Sequence, residues 1–224
     1  MLKSQLLVPL LIGLSCAALP AATISTLFNT GVDDLGVALP DDAPDSHWTL
    51  VAPGAMTGSP LAVTSAGGFP IPPWLGDNAT SAWIGTLNPT ALGPTDVTRE
   101  YHYQTVFSLA GLIPSTAAIA GQSSQDNFLL DVLINGNSTG ISESAVSFGG
   151  WSEFSFSAEH IALLTDGDNT LTFIVHSATE DGTDDYTSLR VEFLTKTADI
   201  IPEPSAAGLL ALAALGLLGR RRRG

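Results

Sequence analysis

Cysteine is nearly absent from this chain, with Cys16 the single thiol in 224 residues. No intrachain disulfide framework can form, and no cysteine-based zinc module either. Histidine is scarce as well. The four residues His47, His102, His160 and His176 include no pair at metal-ligand spacing, which argues against zinc. There is no Gly-x-Ser-x-Gly elbow and no phosphate loop, and almost no amphipathic helical periodicity to carry one. Basic residues number only eight against 22 acidic ones, a formal net charge of −14.

The few basic residues are unevenly placed. Lys3 stands near the start and Arg220, Arg221, Arg222 and Arg223 at the end, so residues 23–198 keep only Arg99, Arg190 and Lys196. Against the twenty acids of that stretch this leaves a charge of −17. Such a surface repels nucleic acid and anionic lipid, and suits divalent cations or neutral polymers better. Solubility alone is an equally physical reason for it.

Both ends of the chain read as addresses. Residues 1–22 combine Lys3, an apolar stretch from Leu6 to Leu14 and a small-residue region, Ser15-Cys16-Ala17-Ala18 leading to Ala21-Ala22. This is the pattern of a secretory signal peptide, with cleavage after Ala18 or after Ala22. Gly13-Leu14-Ser15 fits a lipobox poorly, so Cys16 is expected to leave with the leader. Residues 199–224 hold Pro202-Glu203-Pro204, fourteen residues of Ala, Leu and Gly from Ala206 to Gly219, and the four arginines. As a helix that run is about 21 Å long, short for a hydrocarbon core of about 30 Å. The arginines hold the cytoplasmic side, and the prolines keep Glu203 extended and accessible.

This order of Pro-Glu-Pro, short apolar helix and arginine cluster resembles the PEP-CTERM sorting signal of Gram-negative bacteria. The resemblance covers residues 202–224. It implies recognition by an exosortase, a membrane-embedded cysteine enzyme that processes the tail during export to the cell surface. Pro202, Glu203 and Pro204 would then be the recognised element and Arg220 to Arg223 the stop-transfer charges, with the inner membrane a transient partner. Those are roles of a substrate and imply no catalysis by this chain.

The intervening residues, 23–198, are enough for one domain. Short strands with turn punctuation dominate: Trp48–Val51, Leu61–Thr64, Arg99–Leu109, Asn127–Ile134, Trp151–Phe156, Leu171–Val175 and Leu189–Phe193. Tyr101, Tyr103, Thr105, Phe107 and Leu109 share one face, the alternation of a half-buried antiparallel strand. Asn135-Gly136 predicts a tight hairpin, since both residues tolerate positive φ. One helical turn is expected at Ile161–Leu164. The spacing predicts an all-β antiparallel sandwich or jelly roll.

A second resemblance rests on Phe28-Asn29-Thr30-Gly31-Val32-Asp33, Leu39-Pro40-Asp41, His47-Trp48-Thr49-Leu50-Val51 and Ser81-Ala82-Trp83-Ile84. Together with Ile134-Asn135-Gly136, Gly150-Trp151 and Gly167-Asp168-Asn169-Thr170-Leu171, these are similar to an exported galactose-binding-like jelly roll. That superfamily implies sugar binding through loops at one end and often a structural calcium, but transfers no contact residue.

Candidate binding residues follow from local chemistry. Trp74, on a proline-rich loop, offers a flat apolar face to a pyranose, with Asp77 and Asn78 placed to bond hydroxyls of an extracellular polysaccharide. The alternative is that Trp74 caps the core. Asp33, Asp34, Asp41 and Asp42, like Asp181 to Asp185, are oxygen-rich loops suited to structural Ca²⁺, or simply solvated turns. Three function classes stand: a surface-sorted, non-catalytic matrix-binding module, a structural or adhesion protein working through protein contacts, and a glycoside hydrolase with two converging carboxylates.

Overall fold

The computed structural model describes residues 20–53, 57–68, 70, 72–86, 100–145, 147–177 and 187–202. Eleven strands are described among them: β1 (Ala21–Thr23), β2 (Trp48–Val51), β3 (Leu61–Val63), β4 (Trp83–Gly85), β5 (Glu100–Ser108), β6 (Ala118–Asp126), β7 (Phe128–Ile134), β8 (Asn137–Ser138), β9 (Ser152–Ser155), β10 (Asp168–His176) and β11 (Ser188–Asp199). They form two antiparallel sheets. One runs β3-β4-β11-β6-β9 with β1 added along β11, and the other runs β2-β5-β10-β7-β8.

Period-two alternation explains the packing of the sheets. Tyr103, Phe107, Leu171, Phe173, Val132 and Ile134 turn inward from the five-stranded sheet, and Ile84, Ile119, Leu189 and Val191 from the other, into one core. Each fully buried aliphatic or aromatic side chain contributes about 1.5–3 kcal/mol by leaving water. Phe154 of β9 meets Phe173 of β10 edge-on at 5.7 Å, joining the two layers. The result is the antiparallel β-sandwich that the strand spacing predicts.

The seven expected strands are all present, and Asn135-Gly136 makes its hairpin. Ile134 pairs with Asn137 across the two residues, whose φ values are 50° and 78°. The expected helical turn lies earlier, as α1 (Ala158–Ile161). Ser157 caps it by accepting from the His160 amide, while His160 Nδ1 accepts from the Ser157 amide at 3.2 Å. Imidazole takes the place of the usual Glu or Gln in this reciprocal cap.

The strand from Ala118 to Asp126 is not foreseen by the pattern, yet it is central to its sheet and pairs with both β11 and β9. Also unforeseen is β1. Ala21 and Ala22 pair with Asp199 and Ala198, so the boundary expected after residue 22 falls inside a strand. The predicted leader helix before residue 20, the tail helix, Glu203, Pro204 and Arg220 to Arg223 lie outside the described residues. Among the described residues, no helix is long and apolar enough to cross a membrane.

Candidate functional site

Strand β11 carries two buried charged residues, Arg190 and Glu192. Leu189, Val191 and Phe193 face the core, so Arg190 and Glu192 must face outward, yet they are only 1 % and 8 % exposed. The cover is the segment running from Trp74 to Ser81, which lies against the outer face of the six-stranded sheet. Arg190 donates to Ser81 Oγ at 2.7 Å, to the Gly76 carbonyl at 2.7 Å and to the Ser81 carbonyl at 3.0 Å. Its guanidinium also lies 5.3 Å from the centroid of Trp151. Burial lowers its affinity for the proton, while the charges of Glu192 and Asp77 act the other way.

Glu192 answers this cation through Ser81 as well as through space. Its Oε1 accepts from Asn78 Nδ2 at 2.7 Å, Ser81 Oγ at 2.7 Å and Thr80 Oγ1 at 3.0 Å, and its Oε2 accepts from Gln122 Nε2 at 2.9 Å. Burial alone would push this carboxyl up, but the four hydrogen bonds outweigh it and hold the group below the ordinary glutamate range. Ser81 is the bridge, accepting from the cation and donating to the anion.

Trp74, Asp77 and Asn78 all belong to this cover. Trp74 is half-buried, its ring 4.8 Å from Trp83 and 5.8 Å from Phe148 by centroid. Trp83 in turn donates from Nε1 to the Leu75 carbonyl at 2.9 Å, so the aromatic stack closes over the outer face of β4. Asp77 Oδ2 accepts from the amide and hydroxyl of Ser65. Asn78 Oδ1 accepts from the Thr80 and Ser81 amides, each at 2.9 Å, while its amide nitrogen serves Glu192. Asp77 and Asn78 stay exposed, but their polar atoms fasten the loop to the sheet. The three residues do lie on one stretch of surface; Trp74 takes the capping role, over the outer face of a sheet instead of the core.

The acidic loops are occupied differently. Asp33 Oδ1 accepts from the Leu35 and Val37 amides, both at 2.9 Å, and closes its own turn. Asp34 lies 3.3 Å from His47 Nε2. Asp41 Oδ1 accepts from the Thr64 amide at 2.7 Å, and Asp42 sits in left-handed backbone at φ 59°. Among the described residues no group of three or more His, Cys, Asp or Glu side chains is gathered to hold a metal ion. Asp33 thus closes its turn, Asp34 faces His47 and Asp41 holds Thr64, and the four form no single donor set among the described residues. Asp181 to Asp185 lie outside the described residues.

Sequence reasoning passes over Asp45, which is fully buried. Its two oxygens accept from the Gly31 amide at 2.7 Å and the His47 amide at 2.8 Å. Burial nonetheless wins and raises its carboxyl above the ordinary aspartate value, with the amide bonds and His47 working the other way. An open groove of ≈ 590 Å³ also runs between the turn at Pro114–Thr116 and α1, lined by apolar groups such as Ala117, Phe156, Ile161 and Leu164.

The end of β11 bears on the sorting motif. Asp199 donates its amide to Thr116 Oγ1 at 2.8 Å and its carbonyl accepts from Ile113 at 2.8 Å. Ile200 donates to the Pro20 carbonyl at 3.1 Å and Ile201 to the Gly111 carbonyl at 3.0 Å. Hydrogen bonding to the fold therefore runs up to the residue before Pro202, and Pro20 lies beside Ile200. No protein-family model matches this chain, and no curated protein matches it significantly.

Proposed function

We propose that this chain is an exported, non-catalytic protein, sorted to the surface of a Gram-negative cell by an exosortase that acts on its C-terminal tail. The supporting observation is the tripartite tail, in which Pro202-Glu203-Pro204 follows immediately on the last hydrogen-bonded residue of the sandwich. With no linker between them, the folded domain would be presented at the membrane surface while the tail is held. Removal of residues after the motif leaves every described strand intact, as a sorting signal requires.

The sandwich is the delivered part, read as a galactose-binding-like jelly roll that contacts the extracellular polysaccharide matrix. A second reading, a matrix or adhesion protein acting through protein contacts, is favoured by one observation. Asp77 Oδ2, the amide group of Asn78 and the ring of Trp74 are committed to the protein itself. A glycan array with the exported protein separates the two. Saturable binding to a neutral glycan supports the first, and a stoichiometric protein partner without glycan binding supports the second. Glu203→Ala tests the sorting step: it should leave unprocessed protein in the inner membrane, and surface delivery at the parental level would defeat the proposal.

A further inference from the structure

The two possible leader cleavage positions differ in what they do to the fold. Pro20, Ala21 and Ala22 are the start of the sandwich: the Pro20 carbonyl accepts from Ile200 at 3.1 Å, Ala21 and Ala22 pair with Asp199 and Ala198, and Thr23 pairs with Thr197. Behind them Ile24 donates to the Lys196 carbonyl at 2.8 Å and is fully buried, as is Ala198. On its other side this part of β11 pairs with β6, through Lys196 with Ile119 and Thr197 with Ala118. β1 therefore covers an edge that would otherwise carry unpaired amides and carbonyls beside the tail root.

We infer that signal peptidase cuts this chain between Ala18 and Leu19, and not after Ala22. The inference rests on the export reading above. A cut after Ala22 would leave Thr23 as the new terminus. Two of the three β1 pairs and the Pro20–Ile200 bond would be lost, and a charged amine would sit next to the buried Ile24. A cut after Ala18 keeps Pro20, all three β1 pairs and the Pro20–Ile200 bond. Local chemistry agrees independently. Cys16-Ala17-Ala18 places small residues at both the third and the last position before the cut, as the peptidase requires, whereas Pro20-Ala21-Ala22 puts proline at the third. The step is a hydrolysis in which one water adds across the Ala18–Leu19 amide, leaving a carboxylate on Ala18 and an amine on Leu19.

The test is N-terminal sequencing with intact mass measurement of the full chain exported by a Gram-negative host. The expected terminus is Leu19, and Ala18→Phe should accumulate uncut precursor at least tenfold over the parent. Any other cut terminus, Thr23 above all, overturns the inference, as does parental processing of the Ala18→Phe chain. A parent chain that keeps Met1 removes the export reading and this inference with it.

Discussion

Glu192→Ala probes the polar layer beneath the loop, because that carboxylate gathers four donors from Asn78, Thr80, Ser81 and Gln122 beside the buried Arg190. The substitution removes one of the two carboxylates that favour the charged guanidinium, leaving Asp77, and strips the loop of its main acceptor. Removing one member of a buried charged arrangement costs about 3–5 kcal/mol. For a domain of this size, at about 2–4 °C per kcal/mol, the melting temperature should fall by roughly 6–20 °C. Glu192→Gln keeps the shape and some acceptor capacity, and should fall by about half as much. Asp168→Ala, at an exposed position, is the control and should change stability by about 0.5 kcal/mol or less.

The assay is calorimetry with limited proteolysis of residues 64–81, which should become cleavable in Glu192→Ala first. The pH dependence carries a sign of its own. A carboxyl held below its unfolded value contributes stability above about pH 4, and that contribution fades as pH falls through the lower, folded value. The gap between parent and Glu192→Ala should thus be constant from about pH 5 to 8 and shrink below about pH 4. A melting temperature within about 2 °C of the parent, with the loop still protected, would refute the assignment of Glu192 as the loop's anchor.

Asp45 should behave in the opposite sense. Its folded carboxyl is raised, so its contribution is fully present below the ordinary aspartate value and is lost as pH rises through the folded one. The advantage of the parent over Asp45→Asn should therefore decline as pH rises above the ordinary aspartate value, as followed by thermal melts. Gly121→Ala places a Cβ 2.3 Å from the Glu192 carbonyl oxygen and 2.9 Å from Phe154, and should cost about 2–3 kcal/mol in chemical denaturation. Trp74→Ala uncovers Trp83 and should cost about 2 kcal/mol, less than a full core truncation because Trp74 is half-buried. If that variant also loses glycan binding while Glu192→Gln keeps it, Trp74 is a contact as well as a cap.

What the sequence reveals depends on which surfaces its strands face. β5, β7, β10 and β11 alternate apolar and polar residues, so their period is plain from Tyr101 to Leu109 and from Leu189 to Phe193. β6 reads Ala-Ile-Ala-Gly-Gln-Ser-Ser-Gln-Asp and carries no such signal. Its inner face includes Gly121, Ser123 and Gln125, and its outer face is covered too, so Ser123 through Asp126 are all buried. Gly121 is small because the Glu192 carbonyl and Phe154 leave no room for more.

The candidate site was legible only in part. Trp74, Asp77 and Asn78 stand out as an aromatic and two polar groups on a proline-rich loop, but the partners that use them, Trp83, Ser65 and Glu192, are 9, 12 and 114 residues away. Arg190 and Glu192 sit at alternating positions that a strand normally gives to water. Only the loop's return over that face makes them interior. β1 was hidden for another reason, since Ala21 and Ala22 look like the end of a leader until Ala198 and Asp199 are placed beside them.

If the tail is a transient sorting signal, the mass of the mature C-terminus in fractionated cells will show it. The expected species is a surface or extracellular product that retains β11, ends near Pro202-Glu203-Pro204 and lacks the arginines. A chain intact through Arg223 and held in the inner membrane would contradict it.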